Sequence, residues 1–394
     1  MFPSFTRRRA IAGAATALLA TATSRRCWAN SDMVSLPDFR EADDIDDADA
    51  LRRAFASSSK IYLPAEGGLA PDGAYLVSST DESTLPAGLE LRGDGHDRTI
   101  IRRSYKRAGP FILHCDSRSS DPAANIKNLS FMDLAFEDEV VDRGFSEYDY
   151  LVMLNGVSDV LFDRVRFTGF RGDGLHLGSS TRSMIERHNR NVTVRDCVFD
   201  GVNANNRNAV SVIDCAGLVI EKSRFLNCSR EGDGGRSEPD PMDPRTGIPM
   251  PGPIDLEPNQ DKFAIIRDIS IRENLFSGGG GQAVCLNLLP DAFVDSAQTE
   301  IVIHDNIMRD RWGAFGVQGG TPAAAASTRS QAIRFFRNDV RRCEKAFVVD
   351  GVRGVSIEDN VFADCGTMAE LGYVHGNREA SLVGNRFDRL GKEQ

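Results

Sequence analysis

The chain has 394 residues, of which 41% are hydrophobic and 26% are charged, and its formal net charge is −10. These values are ordinary for a soluble globular protein and allow one extended domain or two compact ones. The acidic balance argues against a general binder of nucleic acid or of anionic membranes, because both attract basic surfaces.

The first 29 residues have the layout of an export signal. Arginines at positions 7–9 precede an apolar run over residues 10–22, and small residues at Cys27 and Ala29 suit a signal peptidase. The arginine pair is typical of a twin-arginine signal, with an ordinary signal or a short anchor as alternatives. Removal of residues 1–29 takes away five arginines and moves the net charge from −10 to −15. We expect a periplasmic or secreted mature protein without a membrane segment.

Residues 30–60 are predicted to form an N-terminal segment that ends in a short helix. Acidic residues stand at the start of the stretch 46–55, where the helix dipole favours them, and Leu51, Ala54 and Phe55 share one face. Short alternating stretches separated by Gly and Pro follow and predict strands at 60–64, 75–77, 89–91 and 99–101.

From residue 126 onward, one line of sequence recurs. It is plainest at Ile269–Phe276 and returns at Ile301–Met308, Ile333–Val340 and Val355–Phe362. Looser copies end at Phe136, Phe167, Phe199, Phe225 and Phe387. The copies follow at intervals of about 22 to 32 residues, with one interval of about 51. Such a period indicates stacked units that cannot bury their apolar faces alone, which defines a solenoid.

The stretch Gly88–Gly95, GLELRGDG, together with the helix and strand before it, resembles the opening of pectate lyase-superfamily proteins. This resemblance implies an all-β fold, a right-handed parallel β-helix over residues 61–394. It also implies that the early helix caps the open end of the solenoid, which would otherwise present unpaired strand edges. Leucine-rich repeats and propellers do not fit, because the leucine framework is absent and the units are too short for a propeller.

Two columns of the repeat are predicted to be structural. The residue two places before the end position is asparagine in the last five copies: Asn274, Asn306, Asn338, Asn360 and Asn385. This pattern resembles the internal asparagine ladder of parallel β-helices, in which each side-chain amide bonds the turn backbone and the next coil. The phenylalanine end positions are expected to stack in the core.

The chain has eight cysteines, and seven remain once Cys27 is cleaved away. No Cys-x-x-Cys spacing occurs, so a zinc site is not expected. The thiols are predicted to be buried and free, as small apolar groups. Cys343 and Cys365 occupy equivalent positions in neighbouring repeats, which leaves stacking or a bridge open.

One repeat is interrupted, and we expect the functional site there. The long interval contains a Gly- and Pro-rich insertion at 231–252, and insertions in solenoids form loops on one face, often the binding face. It leads into a strand in which inward Ile254 and Leu256 leave Asp255 and Glu257 outside, about 6.5–7 Å apart at Cα. Two carboxylates flanking a glycosidic bond divide general acid and general base work, and about 6.5–9.5 Å between them leaves room for water. We predict that both are catalytic.

Other outward positions follow from the alignment of the coils. His176 shares the column of Asp255 two coils earlier, about 10 Å away for coils about 4.8 Å apart. Asp173 precedes that strand and is a candidate third catalytic acid, although Gly-Asp-Gly is also a turn signal. The candidate substrate-binding residues are His176, Asn208, Ser211, Asn287 and Gln318.

The family resemblance transfers no catalytic residue, because the motifs of polygalacturonases and alginate epimerases are absent and the arginine base of pectate lyases has no match. The dominance of carboxylates predicts a glycoside hydrolase that acts on a polysaccharide without a cofactor or metal. One alternative is a lyase or C5-epimerase acting on uronates, with His176 or Tyr373 as base and the three acids holding Ca²⁺. Another is a carbohydrate-binding or structural β-helix without catalysis. The sugar, the linkage and the oligomeric state stay open.

Overall fold

The computed structural model describes residues 32–78, 85–107, 109–117, 119–179, 186–230, 252–258, 264–288, 298–318, 332–350, 352, 354–366, 372–375 and 381–389. The predicted export signal and nearly all of the insertion 231–252 lie outside these residues. Within the described ranges, the strands pair in parallel and form three ladders, named A, B and C here. The chain visits the ladders in the order A, B, C and then begins the next coil.

The strands are numbered in chain order. Ladder A contains β1 (Val34–Ser35), β2 (Lys60–Leu63), β4 (Glu90–Gly93), β7 (Ile126–Met132), β10 (Val157–Asp163), β13 (Arg190–Arg195), β16 (Cys215–Glu221), β19 (Ile266–Arg272), β22 (Gln298–His304), β24 (Ile333–Phe336), β26 (Val355–Glu358) and β29 (Ser381–Val383). Its first strand lies upstream of residue 61, where the sequence predicts the β-helix to begin.

Ladder B contains β3 (Tyr75–Val77), β5 (Ile100–Arg103), β8 (Ala135–Glu137), β11 (Arg166–Thr168), β14 (Val198–Asp200), β17 (Arg224–Leu226), β20 (Leu275–Ser277), the first parts of β23 (Ile307–Gln318) and β25 (Asp339–Asp350), β27 (Val361–Ala363) and β30 (Arg386–Asp388). Ladder C contains β6 (Phe111–Asp116), β9 (Tyr150–Asn155), β12 (Leu175–Gly178), β15 (Val210–Val212), β18 (Ile254–Leu256), β21 (Gln282–Asn287), the last parts of β23 and β25, and β28 (Gly372–His375). A coil of three parallel strands is a parallel β-helix. Its right-handed sense remains the expectation for parallel crossovers.

The repeat found in the sequence sets the register. Ile269, Ile301, Ile333 and Val355 lie opposite one another in ladder A. In ladder B the end positions of the repeat form one column, and consecutive phenylalanine rings in it stack with centroids 4.6 to 5.5 Å apart. The predicted core stack is confirmed for the fully buried rings, whereas Phe387 in the last coil is 41% exposed. The fully buried rings are those of Phe136, Phe167, Phe199, Phe225, Phe276 and Phe362.

The predicted asparagine ladder is confirmed as well. Asn306 Nδ2 donates to Asn338 Oδ1 at 3.0 Å and to the Ile271 carbonyl at 2.9 Å, while Asn306 Oδ1 accepts from Asn274. The same pattern continues through Asn360 to Asn385. Buried amides that bond only one another and the turn backbone leave no polar group unsatisfied, which fixes the distance between coils.

Helix α1 spans Asp47–Ser57 and lies where the sequence predicts it. The Asp46 carboxylate caps it by accepting from the Ala48 amide at 3.0 Å. Leu51 and Ala54 are buried in the core. Its role as the cap of the solenoid remains a prediction. The other helices are α2 (Val140–Arg143) and two 3₁₀ turns at Leu36–Phe39 and Pro122–Ala124.

The seven cysteines of the described chain are buried free thiols, as predicted. Cys343 and Cys365 are not bridged: each Sγ lies 3.8 Å from a backbone carbonyl of the preceding coil. Burial raises the pKa of the Cys343 thiol to about 12, which keeps it neutral and unreactive. Among the described helices, none is long and apolar enough to cross a membrane.

The asparagine ladder can be tested by breaking it in the middle. Asn306→Ala leaves the buried donors of Asn274 without an acceptor, so we expect a loss of about 1–3 kcal/mol for each group left unpaired. The midpoint of urea unfolding measures this loss. Asn203→Ala, at an exposed asparagine in a turn, should change it little. Equal losses in the two variants would mean that the ladder contributes no special stability.

Candidate active site

The register of ladder C brings three of the predicted residues into one row. His176 lies opposite Ser211, and Ser211 lies opposite Asp255. Asp255 is the middle residue of β18, between Ile254 and Leu256, which are both fully buried in the core. The alternation of the strand therefore turns its carboxyl group to the outer side of ladder C, as the sequence predicts.

Asp173 and His176 form a buried pair at one end of this row. His176 Nδ1 lies 2.8 Å from Asp173 Oδ2, and the Asp173 side chain is fully buried. Since an ionised carboxylate only accepts, Nδ1 carries the proton in this bond, and Nε2 is the nitrogen left for other contacts. The ring of Tyr150 stacks on that of His176, with centroids 4.5 Å apart and an angle of 3°. These contacts hold the imidazole in one orientation.

Arg207, which no pattern in the sequence predicts as a site residue, lies among all three predicted acids. Its Nη1 donates to both oxygens of Asp173, at 3.2 and 3.1 Å, and to Ser211 Oγ at 3.0 Å. Its Nη2 lies 3.5 Å from Glu257 Oε2 and 4.0 Å from Asp255 Oδ2. Burial alone would raise the pKa of Asp173, but the Arg207 charge and the His176 hydrogen bond outweigh it and lower that pKa below its ordinary value.

Asp255 is buried without full hydrogen bonding. Its exposure is 1%, and among the described residues no donor bonds its Oδ2 atom. Asn287 Nδ2 donates to its other oxygen at a long 3.4 Å. Burial, followed by the negative charge of Glu257, raises the pKa of the Asp255 carboxyl well above its ordinary value. Asp255 therefore has the properties of a carboxylic acid that keeps its proton.

The side chain of Glu257 is more accessible, with 39% of its surface exposed. Its Oε2 atom lies 3.5 Å from Arg207 Nη2, which also lies 4.0 Å from Asp255 Oδ2. Both carboxyl groups therefore lie near one guanidinium, and the Cα spacing predicted along the strand does not by itself set the separation of the two carboxyl groups. The physical reason is that Cα spacing along a strand does not fix the side-chain torsions that bring two carboxyl groups together.

The predicted substrate-binding residues differ in whether their polar groups already form hydrogen bonds within the protein. Asn208 is fully buried, where its Nδ2 donates to the Gly252 carbonyl at 2.5 Å and its Oδ1 accepts from Ser211 Oγ at 3.1 Å. Ser211 in turn accepts from Arg207, so both polar groups bond within the protein. Asn287 is half-buried beside Asp255, and Gln318 lies opposite it in β23. Of these four, Asn287 is the one that donates a hydrogen bond to the Asp255 carboxyl group.

Gly252 joins the insertion to β18, and its conformation requires glycine. Its φ is +124°, and a Cβ atom there would lie 1.8 Å from the Gln282 carbonyl oxygen. This close approach fixes where β18 begins, and with it the position of Asp255. The rest of the insertion, predicted as a wall of a binding groove, lies outside the described residues.

Two parts of the lyase alternative do not fit the geometry. Tyr373 lies four coils from Asp255 in ladder C, or about 19 Å at about 4.8 Å per coil, too far to act with it. The three acids also do not suit Ca²⁺, because the Arg207 guanidinium occupies the space between them. In the described part of the chain, no cluster of three or more His, Cys, Asp or Glu residues is placed to hold a metal ion.

The buried acid predicts an unusual dependence of stability on pH. A carboxyl group whose folded-state pKa is raised contributes stability below its unfolded pKa, near 3.8, and loses it as pH rises through the folded pKa. Asp255→Asn should therefore unfold at a higher temperature than the parent at about pH 7, and the difference should shrink towards about pH 4. Thermal unfolding across this range measures the effect. Asp43→Asn, at an exposed acid outside the ladders, should show no such trend.

No protein-family model matches the chain, and no curated protein matches it in sequence. Solved structures match it in fold. The A-module of mannuronan C-5 epimerase AlgE6 from Azotobacter vinelandii is 16% identical, with a TM-score of 0.51 over 91% of this chain and 94% of that one. The polygalacturonase from Erwinia carotovora ssp. carotovora is 9% identical, with a TM-score of 0.54, and the match covers 88% of this chain and 93% of that one. PfbA, a surface protein and adhesin of Streptococcus pneumoniae, is 12% identical, with a TM-score of 0.53, and the match covers 92% of this chain and 99% of that one.

Identities this low show the fold alone. The comparisons agree with the ladders described above, and the parallel β-helix predicted from residues 88–95 and from the repeats is confirmed.

Proposed function

We propose that the protein is an exported polysaccharide-degrading enzyme, a glycoside hydrolase in which Asp255 is the general acid and Glu257 the general base. The observation that carries this proposal is the unequal pair of carboxyl groups on ladder C. One is buried and keeps its proton, and the other is half-exposed next to an arginine. Two carboxyl groups whose surroundings differ in this way are suited to opposite roles in proton transfer.

The reaction requires one proton to be given and one to be taken. Asp255 donates its proton to the glycosidic oxygen as the bond from that oxygen to the anomeric carbon breaks. Glu257 accepts a proton from the water molecule that forms the new bond to the anomeric carbon. Because Glu257 is half-exposed, its carboxylate can turn away from Asp255 when a sugar enters between them. In the complete reaction one water molecule is consumed for each glycosidic bond broken, and a hemiacetal and an alcohol are formed.

Asp173, predicted as a third catalytic acid, has a supporting role in this proposal. Both of its oxygens accept from Arg207, and one also bonds His176, so no oxygen is left for the substrate. His176 is the candidate contact with the sugar on the N-terminal side of Asp255, and Asn287 is the candidate on the C-terminal side.

A polysaccharide substrate is supported by the row of polar side chains that runs from coil to coil on the outer side of ladder C, His176, Ser211 and Asp255, with the more exposed Glu257 beside it. The names of two structural neighbours also point to sugar polymers, since one acts on mannuronan and the other on polygalacturonate. The predicted signal at residues 1–29 supports export, and a periplasmic or secreted location through the twin-arginine route is part of the proposal.

The second candidate is a lyase or C5-epimerase that acts without Ca²⁺. The His176–Asp173 pair favours it, because a histidine fixed through Nδ1 by a carboxylate is a suitable base for a proton next to a uronate carboxylate. The third candidate function is that of a carbohydrate-binding or structural protein without catalysis, a role compatible with the adhesin among the structural neighbours.

The hydrolase proposal is tested with the purified mature protein on a panel of polysaccharides. Reducing ends should appear without the ultraviolet absorbance of an unsaturated sugar. Asp255→Asn and Glu257→Gln should each lower kcat by about 10²–10⁴-fold, the usual contribution of one general acid or base. Glu273→Gln, at an exposed acid on a turn after ladder A, is the matched control and should keep the parent rate.

The alternatives give different products. A lyase produces unsaturated ends with each new reducing end, and an epimerase changes the sugar composition without chain cleavage. Parent-level hydrolysis in both acid variants would refute the assignment of Asp255 and Glu257.

A further inference from the structure

Gln282 is a buried amide to which the site described above gives no role. It begins β21, one coil after the strand of Asp255 in ladder C, and only 5% of it is exposed. Among the described residues, none forms a hydrogen bond with its side chain. Burial of an amide without a partner is costly. The Gln282 amide therefore has one donor group and one acceptor group left for a molecule from outside the chain.

Two glycines of β23 make room for this amide. A Cβ atom at Gly316 would lie 2.9 Å from Gln282 Cδ and 2.9 Å from its Nε2, and one at Gly313 would lie 3.1 Å from its Cγ. Neither glycine has a positive φ, so the backbone does not require glycine at these positions. Glycine weakens the interior of a strand and often marks a place that another group approaches closely. Here the group is Gln282, which lies across the outer side of the next coil.

The outward side chains of ladder C become smaller from Asp255 to this amide. Cys285 lies opposite Asp255, and Gly316 lies opposite Cys285. A carboxyl group is thus followed by a thiol and then by a residue without a side chain. Val348, opposite Gly316, is the next larger side chain of the row. The row therefore has a recess over Cys285 and Gly316, and the amide of Gln282 lines it.

Asn287 joins this recess to the carboxyl pair. Its Nδ2 donates to Asp255 at 3.4 Å, and Cys285 Sγ lies 3.8 Å from its Oδ1. Gly316 is two coils from Asp255, or about 10 Å at about 4.8 Å per coil. A sugar ring held over Gly316 therefore lies to one side of the carboxyl pair and leaves that pair accessible to another ring of the same chain.

We propose that Gln282, Cys285, Asn287 and Gly316, named the amide recess here, bind an uncharged sugar residue of the polysaccharide beside the carboxyl pair. Gln282 donates to one sugar hydroxyl through Nε2 and accepts from another through Oε1. That the ligand is a sugar rests on the proposed function, whereas the place of the recess rests on the contacts of Gln282 alone.

The groups around the recess favour an uncharged sugar. Asp255 and Glu257 lie at one end, and the Arg207 guanidinium beside them already donates twice to Asp173. Lys345, which is half-buried, lies beyond the other end in the coil after β23. A sugar carboxylate in the recess would thus meet amides, with no guanidinium or ammonium group fixed to receive it. Hydroxyl groups both donate and accept, as the Gln282 amide does.

The test follows the Gln282 amide directly. ¹H–¹⁵N spectra of the mature protein are recorded during titration with hexasaccharides of glucose, of mannose and of galacturonate, and the Gln282 signal is identified by its loss in Gln282→Met. A Glu257→Gln background slows cleavage if the proposed function holds. The signal should shift with a neutral hexasaccharide. Gln282→Met should raise the Kd of that hexasaccharide about tenfold, which corresponds to about 1.4 kcal/mol.

Gly316→Ala tests the same contact from the opposite side. The added methyl group displaces the flexible end of Gln282 rather than backbone, so the fold should be kept and Kd should rise as in Gln282→Met. Thr193→Val, at a half-buried outward position of ladder A, is the control and should leave Kd unchanged. Parent-level affinity in both Gln282→Met and Gly316→Ala overturns the amide recess, and so does a Gln282 signal that no hexasaccharide moves.

Lys345→Met decides between the two classes of sugar. It should leave the Kd of the neutral hexasaccharide unchanged. Tighter binding of the galacturonate hexasaccharide by the parent, lost in Lys345→Met, overturns the assignment of an uncharged sugar.

Kinetics separate this proposal from the proposed function. If the protein is a hydrolase, Gln282→Met should raise KM about tenfold and leave kcat near the parent value, because the contact is the same before and during bond cleavage. A parent that binds the hexasaccharide through Gln282 and cleaves no polysaccharide refutes the hydrolase and keeps the recess. A parent that cleaves polysaccharide with the same KM in Gln282→Met refutes the recess and keeps the hydrolase.

Discussion

The structure depends on the parallel stacking of its coils in one register. Each residue of a ladder lies about 4.8 Å from its counterpart in the next coil, because backbone hydrogen bonds across the ladder permit no other spacing. The phenylalanine column of ladder B and the amide column through Asn306 both need this register, since a shift by one residue would turn apolar side chains outward. The outward residues follow the same rule, and His176, Ser211 and Asp255 consequently form one row.

The short spacing between coils also determines the electrostatics of the site. An arginine side chain is longer than the distance between coils, so Arg207 can contact acids on both sides of its own coil. Burial of an unpaired charge is costly, and one cation cannot neutralise three carboxylates. Of the two carboxyl groups at β18, that of Asp255 is buried and that of Glu257 is 39% exposed, and burial raises the pKa of Asp255. The unequal surroundings of the two groups thus result from packing.

Much of the fold could be predicted from the sequence, because the repeat shows which side chains face inward. The asparagine and phenylalanine columns follow from spacing alone, and so does the row of His176 with Asp255. Arg207 could not be predicted, since it lies outside a strand and alternation says nothing of which cation meets which acid. The separation of the Asp255 and Glu257 carboxyl groups depends on side-chain torsions, which periodicity does not fix. The distance of Tyr373, by contrast, could have been found by counting coils.

Buried polar side chains in this protein differ in how fully they are hydrogen bonded. Asn306 and Arg311 are both buried and bond their surroundings fully, the first through its neighbouring asparagines and the second through glycine carbonyls. Such groups stabilise the fold. Asp255 is as deeply buried but has an oxygen that no donor among the described residues satisfies. Asp46 is another such group, because it caps helix α1 through one oxygen and buries the other without a donor among the described residues. Asp255 differs from Asp46 in lying on the outer side of ladder C with Glu257 and the Arg207 guanidinium beside it, and this grouping is what supports its proposed role.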